Sequence, residues 1–175
     1  MKNQRVLIIG ALVVLAVAAF FFSQKQTKVS DIKVGIILGF TGPIESLTPD
    51  MASGAELAFK EATDSGELLG GANIIPVRAD STCVDSAAAS TAAEDLIAQG
   101  IVAIMGADCS GVTGAVATNV AVPNGVVMVS PSATSPALTD LDDNGLFFRT
   151  APSDARGGEV LAAVSYTHLT LPTIE

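Results

Sequence analysis

Short apolar runs alternate with segments of helical periodicity from residue 32 onward. Residues 32–38 form a nearly continuous β-branched run, which is the pattern of a strand buried on both faces. Further runs of strand character lie at residues 72–79, 101–105, 126–129 and 146–149. Small apolar residues at helical spacing fill the segments between them, and another helix is expected to start near residue 154. Strands separated by helices need crossover connections, which predicts an α/β domain with a doubly wound, mainly parallel sheet and helices on both faces.

Two prolines refine this prediction. Thr48, Pro49 and Asp50 have the order of an N-cap, a first helical residue and an early acid, so a helix is predicted to begin there. Pro76 lacks an N–H group and moves the strand at residues 72–79 toward an edge of the sheet. Ligands of such sheets bind beyond the carboxyl ends of the strands, so the loops after the first four strands are candidate binding elements.

A separate apolar run at residues 6–22 precedes the alternating region. Lys2 and Arg5 come before it and a polar stretch follows it, which is the order of a secretory signal. The run is also close to the shortest length that spans a hydrocarbon core of roughly 30 Å. We predict that residues 1–30 are a signal peptide or an uncleaved hydrophobic anchor in the inner membrane, and that residues 31–163 are exported to the periplasmic or extracytoplasmic side.

Charge and composition narrow the function classes. The 175-residue chain is 49% hydrophobic and has a net charge of −9, and residues 31–163 hold seventeen acidic and five basic residues. Such a body would repel nucleic-acid phosphates. The spacing of Gly35, Gly39 and Gly42 is not that of a dinucleotide-binding loop. The only histidine of the chain, His168, lies beyond residues 31–163, so this region has no histidine that could act as the base for a nucleophilic serine. We therefore predict no enzyme, no cofactor and no nucleic-acid partner.

Two loops carry polar candidates. Ser110 follows the third strand and lies at a predicted helix start, where it either caps its own helix or helps to bind an anion. Residues 130–136, after the fourth strand, combine two prolines with small hydroxylated side chains. This loop could hold the polar ends of a zwitterion, and it could equally be an ordinary Ser/Pro-rich turn.

The two cysteines, Cys83 and Cys109, follow the second and third predicted strands. If those strands are neighbours, the two cysteines lie close together, and in the oxidising environment outside the cytoplasm they would form a disulfide. The enclosed loop predicts a stabilisation of about 3–3.5 kcal/mol. A two-cysteine metal site is the alternative, but no further ligands accompany the pair.

In this order, the segments resemble the first lobe of the leucine/isoleucine/valine-binding family of type I periplasmic solute-binding proteins. The resemblance rests on the segments 32–35 and 41–43, on 54–58 in the first helix, on the two cysteines, and on 130–139 and 147–150. It implies a two-lobed receptor that delivers a small solute to an ABC transporter permease in the membrane.

The resemblance also assigns roles to residues. It implies that Ser110 binds the carboxylate of an amino acid and that Thr134 contributes its hydroxyl. It also implies that Ser132 contributes its backbone groups and that Ala133 belongs to the same ligand-binding loop. Leu47 stands where amino-acid binders often place an aromatic residue over the ligand. The family implies a branched-chain amino acid or a similar small zwitterion or amide as ligand, and because Leu47 departs from the family pattern, another amino acid or a small carboxylate stays open as well.

The end of the chain departs from the family pattern. The sixth element is expected to stop at Ala163, and residues 164–175 are similar to a translated sequencing-library adapter, so we expect them not to belong to the domain. The second lobe would then be missing, and one lobe alone is expected to bind ligand weakly or not at all. The alternative function is the extracellular ligand-sensing domain of a membrane-anchored signalling receptor.

Overall fold

The computed structural model describes residues 30–168. Its regular elements are β1 (Ile32–Leu38), α1 (Thr48–Asp64), β2 (Ile74–Asp80), α2 (Ser86–Ala98), β3 (Ile101–Gly106), α3 (Ser110–Val116), β4 (Val127–Ser130), β5 (Phe147–Arg149) and α4 (Asp154–His168). A wider helical turn at Ala117–Ala121 extends α3. The predicted signal or anchor at residues 6–22 lies outside the described residues. Within residues 30–168 we find no helix whose length and apolar character suit a bilayer span.

The five strands form one parallel sheet in the order β2-β1-β3-β4-β5. From β1 the chain crosses to β2 on one side, and it then returns past β1 to β3 on the other side. Strand order therefore reverses between β1 and β3, which confirms the predicted doubly wound fold. The strand that contains Pro76 lies at the edge of the sheet, as predicted.

Helices cover both faces of the sheet. On one face, Ile36 and Leu38 of β1 pack with Ala52 of α1. On the other face, Ile37 packs in a larger cluster to which α2 and α3 contribute, for example through Leu96 and Val112. Because side chains alternate between the faces of a strand, a strand covered on both faces must be apolar throughout. This is the physical reason for the continuous apolar run at residues 32–38.

The face that α1 covers is open toward β5. Strand register aligns Ile36, Met105, Val129 and Phe148 in one row across four neighbouring strands. Ile36 is fully buried, Met105 and Val129 are half-buried, and Phe148 is 53% exposed. Exposure rises along the row because α1 packs chiefly against β1 and β2.

The start of α1 differs from the prediction by one residue. Leu47, and not Thr48, is the N-cap residue, and its side chain caps nothing. The buried Thr48 hydroxyl donates instead to the carbonyl oxygen of Gly39 at 3.0 Å. The carbonyl at the end of β1 lies within reach and needs a donor, so the hydroxyl serves the strand end and not the helix.

The expected end of the last helix at Ala163 is also wrong. Helix α4 continues to His168. No glycine or proline occurs between Gly158 and Pro172, so nothing in the local chemistry stops the helix at residue 163. The adapter origin of residues 164–175 stays a prediction, and residues 169–175 lie outside the described part of the chain.

Candidate functional site

Three loops of interest meet at the carboxyl edge of the sheet. They follow β1, β3 and β4, and the first two flank the point where strand order reverses. A crevice outside the carboxyl ends of the strands is expected at such a switch point. The geometry therefore brings Ser110 close to the loop of Ser132, Ala133 and Thr134, as the following contacts show.

Ser110 is the first residue of α3 and joins two of these loops. The N-cap position belongs to Cys109 and has no side-chain cap, so the interpretation of Ser110 as a simple helix cap is wrong. Its Oγ accepts hydrogen bonds from the backbone N–H groups of Thr134 and Ser135, both at 3.1 Å. A hydroxyl also has one proton to donate. Because both of these contacts use its oxygen as acceptor, that proton can be donated to a further acceptor at the carboxyl edge of the sheet.

Hydrogen bonds also hold the loop after β4 from within. The Ser132 hydroxyl donates to the carbonyl oxygen of Asp108 at 2.9 Å. The buried Ser130 hydroxyl donates to the carbonyl oxygen of Ala107 and accepts from the N–H of Ala133. Ala133 is buried. The Ser132 hydroxyl and the Ala133 N–H thus fix the loop, and the backbone of Ser132 is what this part of the loop can offer to a ligand.

Thr134 forms two hydrogen bonds with the start of α4. Its hydroxyl donates to the Asp154 carboxylate at 2.9 Å, and its carbonyl oxygen accepts from the Asp154 N–H at 2.9 Å. Asp154 is exposed, so its carboxylate is also open to a cationic group. Sequence reasoning missed this residue. Its only signal was an acid at the first position of the helix after β5, and acids are common there for reasons of capping alone.

Arg149, at the end of β5, holds the same loop from the other side. Its guanidinium donates to the carbonyl oxygens of Ala133 and Ser135 and to the Thr139 hydroxyl. A planar guanidinium can bind several acceptors in fixed directions. The resemblance included Arg149 as part of a strand, but nothing in the sequence indicated its contacts with the loop.

Asp80, at the end of β2, orders the loop after β1. It accepts from the Thr41 hydroxyl at 2.6 Å and from the backbone N–H groups of Thr41 and Thr82. Partial burial would by itself raise the pKa of Asp80, but these hydrogen bonds, with one from the Phe40 N–H, lower it below its ordinary value. The carboxylate therefore binds the loops after β1 and β2 to each other.

The predicted disulfide between Cys83 and Cys109 is present, with a Cα–Cα distance of 5.2 Å, so these cysteines do not form a metal site. The reasoning from neighbouring strands was wrong, because β1 lies between β2 and β3. The disulfide instead passes over the end of β1, where a Cβ on Gly39 would lie 3.2 Å from the Cβ of Cys83. Only glycine leaves ordinary contact distances at this crossing.

Leu47 lies at the carboxyl edge of the sheet. It is the last residue of the loop after β1, and 61% of it is exposed. It forms none of the polar contacts that join the loops, and it presents an aliphatic surface to solvent at the carboxyl edge. Its proposed contact with a ligand stays a prediction.

Comparison with known proteins shows the family to which this fold belongs. Residues 31–169 match the family described as periplasmic binding protein. A Leu/Ile/Val-binding protein of Rhizobium johnstonii is 33% identical over 135 residues, which cover 76% of this chain and 35% of that protein. A leucine binding protein of Thermotoga maritima is 27% identical with a TM-score of 0.68, covering 79% of this chain and 37% of that one. The branched-chain amino acid transporter substrate binding protein of Streptococcus pneumoniae, in complex with isoleucine, is 29% identical with a TM-score of 0.64, covering 71% of this chain and 35% of that one.

The chain spans about a third of the length of these relatives. Within that span, the family match includes every strand and all the loops at the carboxyl edge. The sequence resemblance to this family is thus confirmed. The chain belongs to the periplasmic binding protein family, among the type I members that resemble the Leu/Ile/Val-binding proteins.

Proposed function

We propose that this chain supplies the first lobe of an extracytoplasmic solute-binding component of an ABC transporter, and that the solute is an amino acid. The observation that carries the proposal is the arrangement of Ser110, Thr134 and Asp154. The Ser110 hydroxyl and the Asp154 carboxylate stand at two helix starts, and hydrogen bonds join both of them to Thr134. The two ends of a zwitterion need one group of each kind.

The carboxylate of the amino acid would accept a hydrogen bond from the Ser110 hydroxyl. This donor stands at the start of α3, where the first backbone N–H groups of the helix have no partners within the helix. Charge-assisted hydrogen bonds from such donors are stronger than neutral ones. The Ser110 oxygen is fixed by two loop amides, so its proton needs little reordering before it binds.

The ammonium of the amino acid would bind next to Thr134 and Asp154. The Asp154 carboxylate supplies a negative charge, and the Thr134 oxygen supplies a second acceptor. A ligand with a carboxylate and no ammonium would form no ion pair with Asp154, and the negative charge of Asp154 would repel it. The site therefore favours a zwitterion over a simple carboxylic acid.

The side chain of the ligand would lie toward Leu47. An exposed aliphatic residue at the carboxyl edge offers apolar contact and no hydrogen bond, which suits an aliphatic side chain. The names of the relatives support a branched-chain amino acid, and a similar small zwitterion or amide fits the same polar groups.

The proposed partners follow from the family. Relatives are described as substrate binding proteins of branched-chain amino acid transporters, so we propose an ABC transporter permease as partner, a periplasmic or extracytoplasmic location and no enzymatic activity. Solute-binding proteins close two lobes around a ligand and exclude water from it. One lobe leaves the ligand half solvated, so binding by residues 31–163 alone should be weak. Permease and ATPase genes beside its gene would favour transport over the sensing alternative.

Titration of the chain with truncated ligands tests the proposal. Chemical shifts of amides near Ser110 and Thr134 would be followed by NMR, which detects millimolar binding, with L-leucine, 4-methylpentanoate and 3-methylbutylamine. We expect L-leucine to bind, and each analogue to bind at least about tenfold more weakly because it lacks one charged end. Equal binding of 4-methylpentanoate and L-leucine would contradict the zwitterion site. Micromolar calorimetric binding by residues 31–163 would contradict the need for a second lobe.

A further inference from the structure

Asp108 lies at the end of β3 and is only 4% exposed. None of the three ion pairs recorded within residues 30–168 includes it. A buried carboxylate is costly unless hydrogen bonds compensate for the water it has lost. Asp108 directly precedes Cys109 and Ser110 in the chain, so the hydrogen bonds that compensate its burial are close to the ligand site.

Three donors converge on the Asp108 carboxylate. Oδ2 accepts from the Gly39 N–H at 2.7 Å, and Oδ1 accepts from the Cys109 N–H at 2.9 Å and from the buried Ser81 hydroxyl at 3.3 Å. The Asp108 carbonyl oxygen accepts from the Ser132 hydroxyl at 2.9 Å. We name these five residues the Asp108 junction. It contains one residue or more from the end of each of the first four strands.

We infer that Asp108 is a positioning residue for the ligand site, an inference that rests on the proposed function. It acts on the site along two routes. Its carboxylate fixes the backbone of Cys109, and the next residue, Ser110, holds the amides of Thr134 and Ser135. Its carbonyl oxygen fixes Ser132, two residues before Thr134.

The chemistry of the junction requires a carboxylate. An asparagine of the same shape has one acceptor oxygen and one NH₂ group, which only donates. If its oxygen faces Gly39, the NH₂ group meets the N–H of Cys109. If its oxygen faces Cys109, the NH₂ group meets the N–H of Gly39. In either orientation one buried backbone N–H loses its acceptor, whereas two carboxylate oxygens satisfy both.

Asp108→Asn tests this role without any ligand. Amide hydrogen exchange, measured by NMR on the whole chain, reports the local opening of each N–H group. We expect exchange at Thr134 and Ser135 to become on the order of tenfold faster, because the loops separate more often when one junction amide is unpaired. Amides in the last turn of α1, where the Thr63 side chain contacts the start of β2, should change much less.

Thr63→Val is the matched control. The Thr63 hydroxyl accepts from the Ile74 N–H at the opposite edge of the sheet, so valine also leaves one backbone N–H without its acceptor. We expect faster exchange at Ile74 and unchanged exchange at Thr134 and Ser135. Ser81→Ala is a milder variant that can be measured if Asp108→Asn does not fold. It removes only the longest hydrogen bond of the junction, so we expect a smaller increase in the exchange rates of Thr134 and Ser135.

The outcomes separate this inference from the proposed function. The positioning role would be overturned if the exchange rates of all amides increased equally in Asp108→Asn. It would also be overturned if the exchange rates of Thr134 and Ser135 did not increase in Asp108→Asn or in Ser81→Ala. A local rise in a chain that binds no amino acid would support the role of Asp108 in loop geometry and would reject the ligand class.

Discussion

Removal of the disulfide tests how the loops at the carboxyl edge are held together. The suitable variant is Cys83→Ala/Cys109→Ala. Alanine is preferred at residue 109 because this residue is the N-cap of α3, where serine would form a new cap and mask part of the loss. The variant leaves Asp80 and Asp108 to join the loops by hydrogen bonds alone.

The expected loss follows from the loop that the disulfide closes. A separation of 26 residues corresponds to about 3.5 kcal/mol of lost unfolded-state entropy. Cys83 has a positive φ of 68°, and its relaxation in the variant would return roughly 1 kcal/mol. We therefore expect the free energy of unfolding to fall by about 2.5–3.5 kcal/mol. At roughly 3 °C per kcal/mol for a domain of this size, the Tm should fall by about 8–11 °C.

Thermal unfolding followed by far-UV circular dichroism measures this loss. The same loss should appear when the unchanged chain is reduced with a phosphine, and the reductant should not affect the double variant. A decrease below about 1 kcal/mol in both experiments would refute the reasoning, because it would mean that the disulfide does not restrict the unfolded chain as the loop length requires.

Three further substitutions are predicted to change stability in different ways. Ser110→Ala should lower the free energy of unfolding by about 1–2 kcal/mol in urea titrations, because two loop amides lose their acceptor, whereas Ser90→Ala on α2 should change it by less than about 0.5 kcal/mol. Asp85→Ala should cost about 1 kcal/mol, because Asp85 accepts from two amides at the start of α2, and Asp85→Asn should be nearly neutral in the same titrations. The pKa of Asp80 is lower in the folded chain, so its contribution is complete above the unfolded pKa of about 3.9 and disappears as the pH falls through the folded pKa. Asp80→Asn should therefore flatten the acid limb of a stability–pH profile, and an unchanged limb would contradict this assignment.

The sequence predicted the sheet well because its signals are local. The apolar run at residues 32–38 has to be continuous if both faces are covered, and it lies in β1 without a shift. Pro76 indicated a strand at the edge of the sheet, because proline has no backbone N–H to donate to a second neighbouring strand. Thr48 was predicted as the N-cap residue, one position after the true one. Its hydroxyl could have capped α1, but the fold brings the Gly39 carbonyl within its reach, and it donates there instead.

The site was less predictable because its contacts cross between elements. Ser110 was identified from its place before a helix, but its partners lie 24 and 25 residues away. Arg149 at the end of β5 and Asp154 at the start of α4 both hold the loop after β4, and no local pattern distinguishes them from surface charges. The disulfide was predicted for a wrong reason, since spacing along the chain does not reveal that β1 lies between its two loops.

The row from Ile36 to Phe148 has a practical consequence for the choice of assay. Dyes such as anilinonaphthalene sulfonate fluoresce when they bind exposed apolar surface. The half-covered face near Phe148 offers such a surface in the folded chain. In a thermal unfolding experiment followed by such a dye, the fluorescence of the folded chain would therefore already be high, and it would increase little on unfolding. Substitution of Phe148 by serine should lower this starting signal, and circular dichroism, which does not depend on exposed apolar surface, gives the clearer transition.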